Sequence, residues 1–452
     1  MTAVLQRKTF QTSRSLDFCS ASQLTIETGH APEHWPLVIL KELLDNALDE
    51  AEEAGVAPEI TVCVRAGMSD RSDAIVITDN GRGIPAEVVD DILDYTVRVS
   101  SREAYVSPTR GAQGNALKTI VAMPFALDGK SGTTLITGRG VGHSIVFRVD
   151  RLKQRPDIEH QRRDDPTAKG TRIEVSWPDS ASSILAAAKL RFLQIADDYA
   201  WLNPHLRLHV QWNGIAEVDR APSDPGWEKW LPSHPTSAHW YDVARLERYL
   251  AAHAARDRDL GRIRLVREFI SELAGFAGSA KQKLVLEETG LARASILSLF
   301  DRDGTPKRPQ IEQLLAALKR HSKPVKPETL GVIGREHLRS LFTAAGANPN
   351  SFRYKRTAGI DEEGLPCVVE TAFGFCPDQQ RRRIITGANW SVGLTNPFRS
   401  FGRHSEGLES VLAEARAQST EPIILVVHLA CPRIEYTDRG KSAIVVKGGG
   451  NG

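Results

Sequence analysis

The stretch Trp35-Pro-Leu-Val-Ile-Leu-Lys-Glu-Leu-Leu-Asp-Asn-Ala-Leu-Asp49 decides how the first part of this chain folds. Its apolar residues recur at helical spacing and predict a helix over Trp35–Glu53. Four polar side chains then fall at offsets of three, four and seven and share one face of that helix: Glu42, Asp45, Asn46 and Asp49. Either this face is a solvated acidic stripe or it is a binding site, and the helix alone leaves both interpretations open.

The chemistry of two of these side chains favours a binding site. An asparagine is a poor helix former and gains nothing on a plain exposed face. The amide oxygen of Asn46 is, however, a hard ligand of the kind that Mg²⁺ prefers. Glu42, one turn earlier, is placed to accept a proton from a water molecule that attacks a γ-phosphate. The helix therefore indicates a nucleotide site with Asn46 as metal ligand and Glu42 as general base.

The second motif is Asp79-Asn-Gly-Arg-Gly83, directly after the predicted strand Ala74–Thr78. The Asp79 carboxylate emerges at the end of that strand and can accept a hydrogen bond from an adenine amino group. Gly81 and Gly83 would let the backbone approach a ligand closely and adopt positive φ angles. The alternative is an ordinary Asp-Asn-Gly turn between two elements.

Two further glycine motifs complete the candidate site. Gly111-Ala-Gln-Gly114 precedes a predicted helix over Ala116–Ala122 that carries Lys118 in its first turns. Glycines before a helix present backbone N–H groups and the positive end of the helix dipole to phosphate oxygens. Gly170-Thr171 precedes another predicted strand, where the hydroxyl would brace Asp79 through a water molecule. Taken singly, each of these segments is also typical of a plain loop or turn.

Composition limits the classes of protein to consider. The 452 residues suggest two to four domains, and 41% hydrophobic with 25% charged residues indicates a folded chain. The net charge of +2 means that any contact with nucleic acid must come from local basic patches. The five cysteines form no CxxC pair, which argues against a zinc site or a disulfide framework and for a reducing compartment. The sequence has neither a signal peptide nor a membrane-spanning apolar run, so we expect a cytoplasmic location without a membrane partner.

The organisation predicted along the chain is α/β and multidomain. Helices and strands alternate to about residue 215, and a proline-rich segment over residues 216–240 is typical of a linker. Helical patterns dominate residues 241–342, and the remainder, residues 343–452, mixes strands with a helix. The predicted elements beyond the three already named are strands Ile60–Val64, Thr133–Thr137, Ser144–Val149, Arg172–Trp177, Cys367–Phe373 and Ile423–Leu429, and a helix over Gly407–Gln418.

The four motifs resemble, in order, those of the Bergerat-fold (GHKL) ATPases, which include type II topoisomerases, MutL and histidine kinases. Trp35–Asp49, Arg110-Gly-Ala-Gln-Gly114 and Trp201-Leu-Asn-Pro-His205 resemble more specifically the topoisomerase VI B-subunit family. The resemblance implies ATP and Mg²⁺ as cofactors, Glu42 as general base, Asn46 as Mg²⁺ ligand and Asp79 as the adenine contact. It implies that the pocket is completed by Gly81, Gly83, Ser101, Arg102, Gly111, Gly114, Lys118 and Thr171.

The resemblance also implies a domain plan. Residues 1–215 would form a Bergerat ATPase α/β sandwich with an N-terminal strap, and residues 216–240 a linker. Residues 241–342 resemble a helix-two-turn-helix insert, and residues 343–452 an α/β transducer-like domain whose loop Asp438-Arg-Gly-Lys441 delivers a switch lysine to the γ-phosphate. Basic residues accumulate in the helical part and would attract phosphates, although a solvated helical face explains them as well: Lys281, Lys283, Lys307, Arg308, Lys319, Arg320, Lys323 and Lys326.

Two features depart from the family pattern. The family has a third glycine two residues after Gly114, where this chain has Ala116, so we expect a stiffer loop. The family's transducer continues into a long helix that docks the A subunit, whereas this sequence stops eleven residues past Lys441. We therefore expect a transducer-like domain that lacks this helix.

The implied function is that of the ATP-binding and ATP-hydrolysing subunit of a type IIB DNA topoisomerase. Two copies would dimerise on binding ATP and gate the passage of double-stranded DNA, while a separate topoisomerase VI A-like subunit cleaves it. One alternative is an ATP-switched DNA clamp, or a repair or defence ATPase, without topoisomerase activity. A MutL-like repair ATPase fits the pocket but not the helical insert or the Asp438–Lys441 loop. A histidine kinase is disfavoured because no phosphoacceptor-histidine helix precedes the pocket in this sequence.

Overall fold

The structure is a computed structural model. It describes residues 18–68, 71–95, 104–110, 116–153, 155–166, 169–378, 382–399, 407–437 and 443–444. Within these ranges, no helix is both long and apolar enough to cross a membrane.

The N-terminal half is built on a mixed sheet with the strand order β5-β4-β3-β6-β2-β1-β7-β8. β1 and β7 run parallel and the other neighbours antiparallel. Its strands are β1 Glu59–Arg65, β2 Ala74–Thr78, β3 Gly132–Gly138, β4 Val141–Asp150, β5 Arg155–Asp164, β6 Thr171–Ser176, β7 Arg207–Trp212 and β8 Ile215–Arg220. Alternate residues of β1, β3 and β7 are buried, as expected for a sheet with one face against helices.

The helices of this half are α1 Ala21–Thr28, α2 Trp35–Glu53, α3 Ala86–Leu93, α4 Ala116–Asp128, α5 Ser182–Ala187 and α6 Lys189–Leu202. α2 contacts α4, α6 and strand β2, and is therefore the central helix of this layer. Fifteen of its nineteen residues are buried, including Asp45, Asp49 and Glu52. An exposed acidic stripe is thereby excluded, and each of these buried carboxylates requires a partner.

A helical region follows, with α7 Val243–Asp259, α8 Val266–Ser271, α9 Ser279–Thr289, α10 Arg308–His321 and α11 Arg335–Ala344. The segment predicted as a linker contains regular structure at both ends. Strand β8 reaches Arg220 on the edge of the first sheet, and Ala238–Trp240 form a single 3-10 turn.

The C-terminal part is a second sheet with the order β12-β11-β13-β10-β9, covered on one face by α12 Leu408–Glu414. β11 and β13 are parallel. Its strands are β9 Arg353–Ile360, β10 Pro366–Phe375, β11 Arg383–Ala388, β12 Ser391–Val392 and β13 Ile423–Ala430.

The predicted elements agree well with this fold. Helix Trp35–Glu53 and strand Ala74–Thr78 have the predicted bounds, and the other predicted strands lie within two or three residues of theirs. Helix α12 is shorter than predicted because the chain leaves helical geometry at Arg416, whose φ is 58°.

Candidate functional site

A cavity of about 400 Å³ opens between helix α2, the end of strand β2 and the start of strand β6. It has the size of a small-molecule site. Three of the predicted site residues line it: Asn46, Asp79 and Thr171. Its other lining residues are eight apolar ones, Leu43, Ala47, Ile77, Ile84, Pro85, Val88, Leu117 and Ile173, and five charged ones, Asp49, Glu50, Glu53, Arg82 and Arg139.

Asp79 is held in place by backbone groups around its carboxylate. The N–H of Gly81 donates to Asp79 Oδ1 at 2.8 Å, and the N–H of Thr171 donates to the same oxygen at 3.1 Å. Burial raises the pKa of Asp79, and these hydrogen bonds oppose the shift. Thr171 therefore contacts Asp79 directly, through its backbone N–H and its side chain, and the predicted water-mediated contact of the hydroxyl stays a prediction.

Glycines shape the turns around this carboxylate. A Cβ added at Gly81 would lie 2.9 Å from Glu50 Cβ, so helix α2 and the turn after β2 approach closely. Gly83 has a φ of +81°, and an added Cβ would lie 2.8 Å from the carbonyl oxygen of Gly170. At Gly170, with a φ of +67°, an added Cβ would collide with the carbonyl oxygen of Asp79. Gly170 is thus a structural requirement for the position of Asp79.

Asn46 is the one predicted metal ligand on the cavity wall. Among the described residues, no three or more histidine, cysteine, aspartate or glutamate side chains are grouped to hold a metal ion. Mg²⁺ does not require such a group, because it keeps several waters and is commonly bound by one or two protein oxygens together with substrate phosphates. The amide of Asn46 fits that role.

Glu42 and Asp45 point into different surroundings from Asn46. Lys41 Nζ lies 2.8 Å from Asp45 Oδ2 and 3.4 Å from Glu42 Oε1. Asp45 also accepts hydrogen bonds from Tyr199 Oη at 2.8 Å and from Ser391 Oγ at 2.7 Å. The shared face that we predicted for Glu42, Asp45, Asn46 and Asp49 is therefore wrong for Asp45. Asp45 is part of the contact between α2 and the second sheet, because consecutive helical residues project about 100° apart.

Lys118 lies in the first turn of α4 with almost its whole side chain buried. Its Nζ donates to the carbonyl oxygen of Asp94 at 2.6 Å, and burial lowers its pKa. The other predicted contacts to phosphate lie outside the described residues: Ser101, Arg102, Gly111, Gly114 and the switch lysine Lys441.

A buried group of charges lies directly before the glycine loop, and no local sequence pattern indicated it. We name Arg110, Lys229, Asp49 and Glu52 the α2 charge cluster. Arg110 Nη1 lies 2.8 Å from Asp49 Oδ1, and its Nη2 lies 2.6 Å from Glu52 Oε1. Lys229 Nζ lies 2.9 Å from Glu52 Oε2. None of the four side chains is more than 7% exposed.

The charges of this cluster balance. Burial alone would raise the pKa of Glu52, but Arg110 and Lys229 hold it well below its ordinary value. The neighbouring His205 has its Nε2 atom 2.9 Å from Glu52 Oε1. Burial lowers the pKa of His205, which favours its neutral form. Two cations and two carboxylates remain, which is the condition under which charges persist in an apolar interior.

The cluster extends to the second sheet through Trp390. Lys229 Nζ lies 5.3 Å from the centre of the Trp390 ring, within cation–π distance. Asn203 accepts a hydrogen bond from Arg110 at 2.6 Å and donates one to the carbonyl oxygen of Trp390 at 3.0 Å. The residue before the glycine loop is therefore connected to the turn between β11 and β12.

The basic residues of the helical region are mainly exposed, and some have local partners. Lys281, Arg308, Lys323 and Lys326 are exposed, while Lys307 and Lys319 are half-buried. Arg320 is paired with Glu288, and Lys283 lies 3.6 Å from Glu287. These carboxylates reduce the net positive potential of the patch.

Comparison with known proteins defines the class. Residues 33–181, which include the whole of α2 and strands β1 to β6, match the family model described as "Histidine kinase-, DNA gyrase B-, and HSP90-like ATPase". This part of the chain is thus similar to the ATPase domains that the model describes, and the predicted Bergerat α/β fold is confirmed.

The relatives along the whole chain are more specific. The chain is 24% identical over 428 residues to the B subunit of type 2 DNA topoisomerase 6 from Archaeoglobus fulgidus, covering 90% of this chain and 66% of that one. It is 32% identical over 183 residues to the corresponding subunit from Natronomonas pharaonis, covering 37% and 21%. The chain therefore spans slightly less than two thirds of the length of the first relative. The predicted resemblance to topoisomerase VI B subunits is confirmed.

Among solved structures, the B subunit of DNA gyrase from Myxococcus xanthus aligns with a TM-score of 0.43 and 13% identity. The alignment covers 94% of this chain and 88% of that one.

Proposed function

We propose that this chain binds and hydrolyses ATP as the ATPase subunit of a type IIB DNA topoisomerase. The observation that carries the proposal is the Asp79 carboxylate, fixed by two backbone N–H groups on the wall of a cavity whose lining includes the apolar residues Ile77, Ile84 and Ile173. A fixed carboxylate beside apolar walls suits a flat heterocycle that carries an amino group. Asp79 accepts a hydrogen bond from the adenine amino group there.

Asn46 lines the cavity, and Glu42 lies one turn before it on α2, where its carboxylate contacts Lys41. Asn46 would hold Mg²⁺, which would neutralise charge on the phosphates. Glu42 accepts the proton of the attacking water. The backbone N–H groups of the Gly111 to Gly114 loop and the side chains of Ser101, Arg102 and Lys118 bind the phosphates, and Lys441 stabilises the charge that develops on the γ-phosphate.

The contact between α2 and the second sheet supports a role as a conformational switch. Ser391 of β12 donates to Asp45, and Asp45 directly precedes the proposed metal ligand Asn46. Two copies dimerise on ATP, and rotation of the second sheet relative to α2 transmits the nucleotide state to DNA and to a separate A-like subunit that cleaves it. The proposed units are the ATPase domain 1–215, the linker 216–240, the helical domain 241–342 and the transducer-like domain 343–452.

Two substitutions test the nucleotide site. Asp79→Asn should abolish ATP binding measured by calorimetry, because the fixed carboxylate is lost while the shape is kept. Asp219→Asn, an exposed carboxylate on β8, is the matched control and should bind like the unchanged chain. An unaltered ATP affinity in Asp79→Asn would remove Asp79 from the adenine site.

Glu42→Ala should retain ATP binding but lose turnover, because the proton acceptor is missing and the cavity is not altered. Glu336→Ala, exposed on α11, is the control. Normal turnover by Glu42→Ala would exclude Glu42 as the base. Decatenation assays with an A-like subunit from the same organism test the topoisomerase assignment, and ATP turnover without strand passage would favour the clamp.

A further inference from the structure

Two cysteines lie opposite each other on neighbouring strands of the second sheet. Cys367 is the second residue of β10, and Cys431 follows directly after the last residue of β13. The antiparallel register pairs Val368 with Ala430, so the next pair along is Cys367 with Cys431. The Cys367 thiol donates to Cys431 Sγ, and the two sulfur atoms are 3.0 Å apart. Both are free thiols in this structure.

This placement suits a disulfide. Residues directly opposite in an antiparallel pair have Cβ atoms about 4.5–5.5 Å apart, close to the range of about 3.5–4.5 Å found across a disulfide. An approach of about 1 Å between the sulfur atoms would form the bond of about 2.05 Å. The strands are already held in register by β10–β13 pairing on one side of the cysteines, so a bond there demands little change of the backbone.

A small oxidant can reach one of the two thiols from solvent, because the two cysteines differ in burial. Cys367 is half-buried, and it is paired with Gly359 on the edge strand β9. Among the described residues, a Cβ added at Gly359 would meet no atom beyond its chain neighbours within 4 Å, so the space beside this glycine is open. Cys431 is buried, and its contact with Cys367 together with burial raises its pKa well above the ordinary value. Cys367 is therefore the thiol that meets an oxidant from solvent, and Cys431 the resolving partner.

We propose that Cys367 and Cys431 form a redox-sensitive pair that hydrogen peroxide converts into a reversible cross-strand disulfide. The Cys367 thiolate attacks one peroxide oxygen, the O–O bond breaks, and the other oxygen leaves as water after taking up a proton. Cys431 sulfur then attacks Cys367 Sγ, the S–O bond of the sulfenic acid breaks, and the hydroxyl leaves as water with the Cys431 proton. In sum, two thiols and one peroxide give one disulfide and two waters.

The bond would lie next to a contact that leads towards the glycine loop. The Cys431 N–H donates to Asn389 Oδ1 at 2.9 Å, and Asn389 Nδ2 donates to the Cys431 carbonyl oxygen at 3.0 Å. Asn389 Nδ2 also lies 3.4 Å from the carbonyl oxygen of Thr109, the residue before Arg110. A disulfide fixes this end of β13 to β10. Given the proposed ATPase function, we expect it to slow ATP turnover several-fold, because it fixes the end of β13 that Asn389 joins to Thr109 near the glycine loop.

Peptide mapping tests the disulfide independently of any activity. The reduced full-length chain is treated with hydrogen peroxide, alkylated and digested without reductant by a protease that cleaves after glutamate, because Glu370 separates Cys367 from Cys376. We expect a linked peptide pair containing Cys367 and Cys431 that disappears on adding dithiothreitol. If Cys367 and Cys431 are both recovered alkylated, or if either is linked instead to Cys19, Cys63 or Cys376, the proposed pair is wrong.

ATP turnover of the reduced and oxidised chain tests the consequence. The oxidised chain should turn over several-fold more slowly and recover with dithiothreitol, while Cys367→Ser should be insensitive to peroxide. Cys376→Ser, which keeps the pair, should respond like the unchanged chain. A mapped disulfide with unaltered turnover would contradict the regulatory role. Absence of turnover in the reduced chain would instead contradict the proposed ATPase function, and the peptide map would still decide the disulfide.

Discussion

Arg110→Gln should be among the most destabilising single substitutions in this chain. The side chain of Arg110 is fully buried and donates to Asp49, Glu52 and Asn203. Glutamine keeps part of the hydrogen bonding but removes one of the two cations of the α2 charge cluster. Lys229 is then the remaining cation of the cluster beside two buried carboxylates, so its charge balance is lost in the interior.

The expected size follows from that imbalance. Removing one partner of a buried ion pair typically costs about 3–5 kcal/mol, because the remaining charge stays desolvated. The whole free energy of unfolding of a domain is about 5–15 kcal/mol, so the loss is a large fraction of it. Arg148→Gln is the matched control, since Arg148 and its partner Glu159 are 46% and 60% exposed. Such surface pairs contribute about 0–1 kcal/mol.

Urea unfolding followed by tryptophan fluorescence and circular dichroism measures both variants against the unchanged chain. Two tryptophans, Trp227 and Trp390, pack against each other beside Lys229 and report on this region. If the free energy of unfolding of Arg110→Gln falls within about 1 kcal/mol of that of Arg148→Gln, the cluster does not stabilise the fold by charge balance.

Two other substitutions test separate parts of the structure. Gly170→Ala forces a side chain into a left-handed conformation at a φ of +67° and displaces Asp79, so we expect a loss of about 1–2 kcal/mol of stability together with weaker ATP binding in calorimetry. Unchanged affinity would contradict the support of Asp79 by this turn. Burial, helped by Arg264, lowers the pKa of His253 from 6.5 to about 4. The unfolded chain binds this proton first as the pH falls, so the stability due to neutral His253 is complete above pH 6.5 and is lost as the pH falls towards 4. His253→Gln should flatten the dependence of unfolding free energy on pH across this window, as measured by urea unfolding at about pH 7 and about pH 4.5. An unchanged slope would exclude His253 as its source.

The parts of the site that follow from local patterns could be predicted from the sequence. The helical repeat of α2 and the apolar run before Asp79 predict the first and last residues of both elements correctly. The cavity brings Asn46, Asp79 and Thr171 together. The partners of Arg110 could not be predicted, because they come from positions 58 to 93 residues away along the chain. The burial of Lys229 could not be predicted from the sequence for another reason. It lies in a proline-rich segment whose composition predicts a linker, yet its side chain is 1% exposed.

The structure shows that the acidic residues of α2 contact different parts of the protein. The sequence predicted that Glu42, Asp45, Asn46 and Asp49 share one face, and of these four residues Asn46 and Asp49 line the cavity. Asp45 binds Lys41, Tyr199 and Ser391, and Asp49 also pairs with Arg110. Because α2 is a single rigid helix, a shift that moves Asn46 relative to the cavity must also move Asp45 relative to the second sheet and Asp49 relative to Arg110. The buried residues Asp45 and Asp49 thus connect α2 to Ser391 of the second sheet and to Arg110, the residue directly before the glycine loop.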